Sequence, residues 1–172
     1  MEENSMNCES CGAPITRMGR FGRYFCDHCD RKAVATPLKD SADGLVLTGT
    51  TTDIPCLTCE DTQLELGSLD TYPVEGCRRC QGILLKSSAF AKLIRKRRAS
   101  YNGADHSGEF DPALDGPRDY HSRLTCPTCC LSMDSFFYAG PGRVAIDSCC
   151  RCETVWLDCG EVSSIIEAPG LR

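Results

Sequence analysis

The chain has 172 residues, 15 of them Cys and one Trp, and its 24 acidic against 19 basic residues give a formal net charge of −5. That cysteine density argues against one large apolar core and for several small units held by crosslinks. The acidic balance argues against nucleic-acid binding spread over the whole surface.

The first ten residues, MEENSMNCES, contain neither a basic segment nor an apolar run, and the longest apolar stretches, such as GILL, are far too short to span a membrane. The expectation is a cytoplasmic protein with no membrane partner. There, paired thiols read as metal ligands before disulfides.

In chain order, the first unit covers residues 1–32 and carries Cys8-x2-Cys11 and Cys26-x2-Cys29, with 14 residues between the two pairs. Gly12 follows the first pair, where a left-handed residue turns backbone N–H groups toward sulfur. Between the pairs, TRMGRFGRYF brings Arg17, Arg20 and Arg23 together with aromatics, either as an ordinary basic hairpin tip or as a nucleic-acid contact. His28 lies inside a knuckle and reads as a surface residue, since ligation would displace Cys29. Residues 33–54 are polar and turn-rich and read as a linker, with DGLVLTG adding at most one short strand.

The second unit, residues 55–99, repeats the arrangement with Cys56, Cys59, Cys77 and Cys80 and a 17-residue gap. LELGSLDTYPVE reads as its hairpin, weakened by Gly67 and Pro73. ILL then reads as a short strand. A helix follows, capped by Ser87 or Ser88, with Phe90, Leu93 and Ile94 on one face at i, i+3 and i+4. Residues 100–123 form an acidic linker. The third unit, 124–172, has Cys126, Cys129, Cys149 and Cys152 with a 19-residue gap. Its hairpin, SFFYAGPGRVAID, turns around Pro141 and Gly142. VWL is its strand. Asp158 and Glu161 are expected as N-cap and N3 of the last helix, and Pro169-Gly170 ends it.

Two C-x2-C knuckles a hairpin apart place four thiolates at the corners of a tetrahedron, about 2.3 Å from one Zn2+. Three such sets use 12 of the 15 Cys and predict three Zn2+. Redox C-x2-C pairs need a βαβ context that is missing. Four thiolates leave no open coordination position, and the chain has no G-x-S-x-G, H-E-x-x-H or phosphate loop, so no enzymatic role is expected. The predicted fold is a small metal-stabilised β/α+β assembly of three tandem zinc ribbons, each a hairpin with two Cys knuckles. The second and third are each followed by a short helix.

Units two and three are also internal repeats. With Cys80 and Cys152 superposed, Ile83-Leu84-Leu85 matches Val155-Trp156-Leu157, and Phe90, Leu93 and Ile94 match Val162, Ile165 and Ile166. The third unit's CPTC, IDSCCRC and VWLDCGEV resemble the bacterial transcription factor IIB-like zinc-finger family, with its C-P-x-C … D-x-C-P-x-C-G-G-x-W-L-D-x-G-E-L pattern, over about 45 residues. The second unit departs from it at Leu84 and Lys86, and the first is a shorter generic zinc ribbon. The resemblance implies zinc binding and does not itself imply a role in transcription. Cys130, Cys150 and Cys159 stand where that pattern has Gly, Pro and a variable residue, which leaves them as spare thiols. They could swap register with a ligand, serve a redox switch or act as small apolar residues.

Residues 76–100 hold eight bases and no acid, whereas residues 104–172 hold 11 acids and five bases. Four thiolates around a dication leave −2 per site, so three filled sites bring the protein to about −11. Within KLIRKRR, Lys92, Arg95, Lys96, Arg97 and Arg98 are either a solvated face favourable to the helix dipole or a partner-binding patch. The expected function is a non-enzymatic protein-interaction module. The alternatives are a nucleic-acid-binding, transcription-associated factor and a thiol-based redox or metal sensor.

Overall fold

The computed structural model describes residues 6–35, 41–105, 110–138 and 143–170. Strands β1 (Arg17–Met18), β2 (Arg23–Cys26) and β3 (Arg31–Val34) form a three-stranded antiparallel sheet. Its own apolar cluster is only Cys8, Tyr24 and Cys26, with Ala13, Ile15, Ala33 and Ala35 at the margin. A cluster that small cannot offset the chain entropy of ordering a 30-residue unit.

The seven strands that follow form one larger sheet. The strands are β4 (Leu45–Pro55), β5 (Gln63–Leu69), β6 (Tyr72–Gly76), β7 (Ile83–Lys86), β8 (Asp134–Phe137), β9 (Ala145–Cys149) and β10 (Thr154–Leu157). Their spatial order is β4-β5-β6-β7-β10-β9-β8. The central pair, β7 and β10, is antiparallel, with Leu84 opposite Trp156 and Ile83 opposite Leu157. The repeat found in the sequence therefore has a spatial counterpart: the two copies meet strand to strand about a pseudo-two-fold axis at Leu84 and Trp156.

Alternation along these strands sorts two cores. Ile83, Leu85, Val155 and Leu157 share one cluster with Phe90, Leu93 and Ile94 of helix α1 (Ser87–Ser100) and Val162, Ile165 and Ile166 of helix α3 (Glu161–Glu167). Each such side chain, fully buried, contributes roughly 1.5–3 kcal/mol. Leu84 and Trp156 instead join Leu64, Met133 and the cysteines of units two and three. Gly82 is required by this second core, because a Cβ there would sit 2.2 Å from the Trp156 ring.

The segment 33–54, expected as a linker, contains most of β4, the longest strand. As an edge strand it is exposed to foreign pairing, and bulges interrupt its register with β5. Thr48 and Thr52 hydroxyls donate to the Leu66 and Leu64 carbonyls at 2.9 Å, and the Thr50 and Ile54 N–H groups turn back onto those hydroxyls. Bulges with self-bonded N–H groups blunt this edge. Gly67 lies within β5 beneath Val46 and Leu47, where the lack of a side chain admits β4. The second-unit hairpin turns tightly at Asp70 and Thr71. The turn expected at Pro141 and Gly142 lies outside the described residues.

The helix starts differ from expectation. No side chain caps α1; its first residue, Ser87, donates its N–H to the Glu153 carbonyl across the β7–β10 seam. At α3, Glu161 does accept the Asp158 N–H at 2.9 Å, but the Asp158 side chain does not cap. Asp43 caps instead, taking the Gly160 and Ser163 N–H groups at 2.7 and 2.8 Å from 117 residues away in the chain. Asp158 is claimed by Trp156 Nε1 and by Arg118. Helix α2 (Pro112–Asp115), within the acidic linker, packs against β2 of the first unit. No helix among the described residues is long and apolar enough to cross a membrane.

Candidate metal centres

Three groups of four thiols are gathered: Cys8, Cys11, Cys26 and Cys29; Cys56, Cys59, Cys77 and Cys80; Cys126, Cys129, Cys149 and Cys152. Within each group all Sγ atoms lie within 4.8 Å of one another. Sulfur–sulfur distances include 3.8 Å for Cys8–Cys29, 3.6 Å for Cys11–Cys26, 3.6 Å for Cys56–Cys80 and 3.5 Å for Cys129–Cys149. A tetrahedron with metal–sulfur bonds of about 2.3 Å has sulfur–sulfur edges of about 3.8 Å. A disulfide would need about 2.05 Å. The donor set and spacing fit a metal ion.

Local backbone geometry explains why the spacing works. In five of the six knuckles the residue after the second Cys has positive φ: Gly12, Asp30, Gln81, Cys130 and Glu153. That residue donates its N–H to the first Cys carbonyl in four of them, for example Gln81 to Cys77 at 2.9 Å and Cys130 to Cys126 at 2.9 Å. The turn then points further N–H groups at sulfur: Cys59 to Cys56, Cys80 to Cys77, Gly82 to Cys80 and Cys152 to Cys149, at 3.3–3.4 Å. Such donors favour thiolate. Burial raises the Cys8 thiol, but N–H groups of Cys11 and Ser10 outweigh it and bring it to about 6. Burial likewise opposes, and the N–H groups of Cys129 and Thr128 win, at Cys126, which lies near 7. Cys56 is driven down by hydrogen bonds from Cys59, Cys77 and Cys80. The first Cys of every unit is thus driven toward thiolate, and in the second unit Cys77 is lowered as well.

The centres differ in cover. Cys11 and Cys29 of the first are exposed, while every ligand of the other two is buried or half-buried. His28 is exposed and stands outside the thiol group.

None of the spare thiols belongs to a group. Cys130 and Cys150 are exposed, and Cys130, at φ 59°, holds the left-handed position that Gly12 holds in the first unit. Cys159 is 1% exposed, and burial, then the Asp43 charge, push its thiol up to about 12. At pH 8 a thiol with that pKa is ionised to about one part in 10⁴. Iodoacetamide on the metal-loaded protein is therefore expected to alkylate Cys130 and Cys150 and to spare Cys159 until unfolding. Replacing all three by Ala should leave metal stoichiometry intact, whereas Cys149→Ser should lose one equivalent. Loss of an equivalent with Cys150→Ser instead, measured by metal analysis, would reverse the ligand assignment.

The basic residues divide sharply. Arg97 bonds Asp70 at 2.9 Å and the Asp43 carbonyl at 2.7 Å, and Arg98 donates to the Ile165 and Ala168 carbonyls of α3 and its end. Both are structural braces rather than free surface. Lys96 lies 3.8 Å from Asp70, and Lys92 and Arg95 are exposed with no ion pair among the described residues. The first-unit arginines are matched too: Arg17 with Asp27, Arg20 with Glu167, and Arg23 near Asp115 and Glu161. Arg78 grips Glu65 with two bonds of 2.7 and 2.6 Å, and Arg79 reaches Glu9 in the first unit.

Sequence reasoning missed a buried ionic group at the junction of the first unit, the acidic linker and the third unit. Arg118, 9% exposed, bonds Asp147 and Asp158, each at 2.9 Å. These residues are scattered over 40 positions and share no spacing, so no local signal marks them. No protein-family model, curated protein or solved structure matches the chain.

Proposed function

We propose that the protein is a zinc-binding, non-enzymatic interaction module built of three zinc ribbons, which docks an acidic protein partner on the exposed face of α1. Zinc is the metal of choice for four thiolates in a tetrahedron, and four protein ligands leave no coordination position for a substrate. One observation carries the docking surface: among the described residues Lys92 and Arg95 are exposed and without an ion pair, although most arginines there have a carboxylate partner. With Lys96 they lie at i, i+3 and i+4, a single stripe opposite the buried Phe90, Leu93 and Ile94. A small cationic stripe on a strongly anionic molecule favours an anionic protein over the long phosphate lattice of duplex DNA.

The test is charge reversal. Lys92→Glu, Arg95→Glu and Lys96→Glu together should weaken binding of a polyglutamate probe roughly tenfold to a hundredfold, about 1.4–2.7 kcal/mol, with zinc content unchanged. The wild-type protein should ignore heterologous duplex DNA and single-stranded RNA at the same salt. Tighter binding to either nucleic acid, with affinity falling steeply as salt rises, would replace this reading with the nucleic-acid one. Equal polyglutamate binding by variant and wild type would leave the stripe as solvated surface.

A further inference from the structure

A cavity of about 370 Å³ lies where the first-unit hairpin, α2 and the third unit meet. That is the size of a small-ligand pocket, which runs from about 300 to 1,000 Å³. Its walls are mixed, with Met18, Leu114 and Val144 supplying apolar surface. Its charged groups are arranged unevenly, and the unevenness indicates a ligand.

At one side, Arg23, Asp115 and Glu161 line the cavity together. Each carboxylate has one anchored oxygen: Asp115 Oδ2 accepts the Asp111 N–H at 3.0 Å, and Glu161 Oε2 accepts the Asp158 N–H at 2.9 Å. The other oxygens, Asp115 Oδ1 and Glu161 Oε1, come only within 3.7 and 3.9 Å of Arg23, beyond hydrogen-bonding distance. Arg23 directs its bond to the Leu114 carbonyl. The Glu161 side chain is 7% exposed, and no donor among the described residues reaches its Oε1 within hydrogen-bonding distance. Among the described residues Arg23 is the only cation within 4 Å of these two oxygens, and it hydrogen-bonds neither. Burial and then the Asp158 charge push the Glu161 carboxyl well above its ordinary value, and a cation bonded to Oε1 would oppose both effects. A further guanidinium, that of Arg143, lines the same cavity. Arg143 is exposed, lies over the Phe110 ring at 5.5 Å and has no ion pair among the described residues.

We propose that this cavity binds a small amphoteric compound, an α-amino acid or close analogue with an apolar side chain. Its ammonium group bonds Glu161 Oε1 and Asp115 Oδ1, its carboxylate reaches Arg143, and its apolar body lies along Phe110, Leu114 and Val144. The site is separate from the α1 stripe, so it stands or falls independently of that docking surface.

Calorimetry on the zinc-loaded full chain tests it with three probes: L-phenylalanine, phenethylamine, which lacks the carboxylate, and 3-phenylpropionate, which lacks the amine. Phenylalanine should bind at least about tenfold more tightly than either half-ligand. Arg143→Ala, at an exposed residue, should bring phenylalanine down to the phenethylamine level. Glu161→Gln keeps an acceptor for the Asp158 N–H and should weaken both amines while leaving 3-phenylpropionate unchanged. Should Glu161→Gln lose zinc, Arg143→Ala and the probe comparison still decide. No saturable binding of phenylalanine up to about 10 mM, where affinity would be under 3 kcal/mol, overturns the proposal. So does phenylalanine binding that is indifferent to Arg143→Ala.

Discussion

Stripping metal from the protein is expected to release about three equivalents in two stages, the first-unit ion before the other two, and to end in unfolding. Metal binding at such sites is worth on the order of 10–16 kcal/mol each, against a whole-domain stability of about 5–15 kcal/mol. The order follows from cover. Cys11 and Cys29 are open to chelator, and the surrounding apolar cluster is little more than Tyr24 and two ligands. The other two sites share a cluster with Leu64, Leu84, Met133 and Trp156. Trp156, the single Trp, is fully buried in that cluster and reports on it alone. Titration with a thiol-modifying mercurial should therefore free the first equivalent with little change in Trp fluorescence. The next two should come with a red shift and loss of secondary structure. Release of all three in one step together with the Trp change would show that the first unit has no separate stability. A folded, metal-free protein at neutral pH would remove the structural role of the metal altogether.

Arg118→Met is expected to destabilise the metal-loaded protein by about 3–5 kcal/mol, because it leaves two carboxylates buried without their counter-charge. Arg118 is bonded to Asp147, 7% exposed, and Asp158, 17% exposed, and Asp158 in turn holds Trp156 Nε1 at 3.0 Å. Denaturant unfolding at constant zinc gives the loss. Adding Asp147→Asn should recover part of it, since the double variant buries one orphan charge fewer. A purely additive pair, with the double variant worse than either single, would mean that the residues do not act as one ionic group. The experiment also reaches the Trp156-Leu157-Asp158 run, whose Asp is held in place by Arg118, a residue of the linker that the repeat does not predict.

The ligand groups, the two repeats and the helix faces were legible in the sequence because each rests on short-range geometry. A C-x2-C turn brings two sulfurs together within four residues. The i, i+3, i+4 pattern places Phe90, Leu93 and Ile94 on one side, where the structure buries all three. The capping roles were misread for the opposite reason. Asp158 stands in a good position for an N-cap by sequence, yet Arg118 and the Trp156 indole compete for its oxygens, and Asp43 supplies the cap from a distant loop. DGLVLTGTTTDIP looked like linker because its alternation is weak. It is a strand because β5 offers it a free edge, on which Thr hydroxyls replace missing ladder bonds.

The arginines show the boundary most clearly. KLIRKRR read as one basic run, but the helix turns its residues in different directions. Lys92 and Arg95 face solvent, while Arg97 and Arg98 reach Asp70, Asp43 and the end of α3. The sequence by itself determined which thiols can share an ion, because metal–sulfur distance and knuckle spacing are local constraints that hold whatever surrounds them. Only the tertiary structure decided that the two repeats merge through β7 and β10, which charges are neutralised, and where a cavity is left with an unbonded carboxylate oxygen. Those outcomes depend on which surfaces bury each other, and burial sums contributions from residues far apart in the chain that carry no common spacing to read.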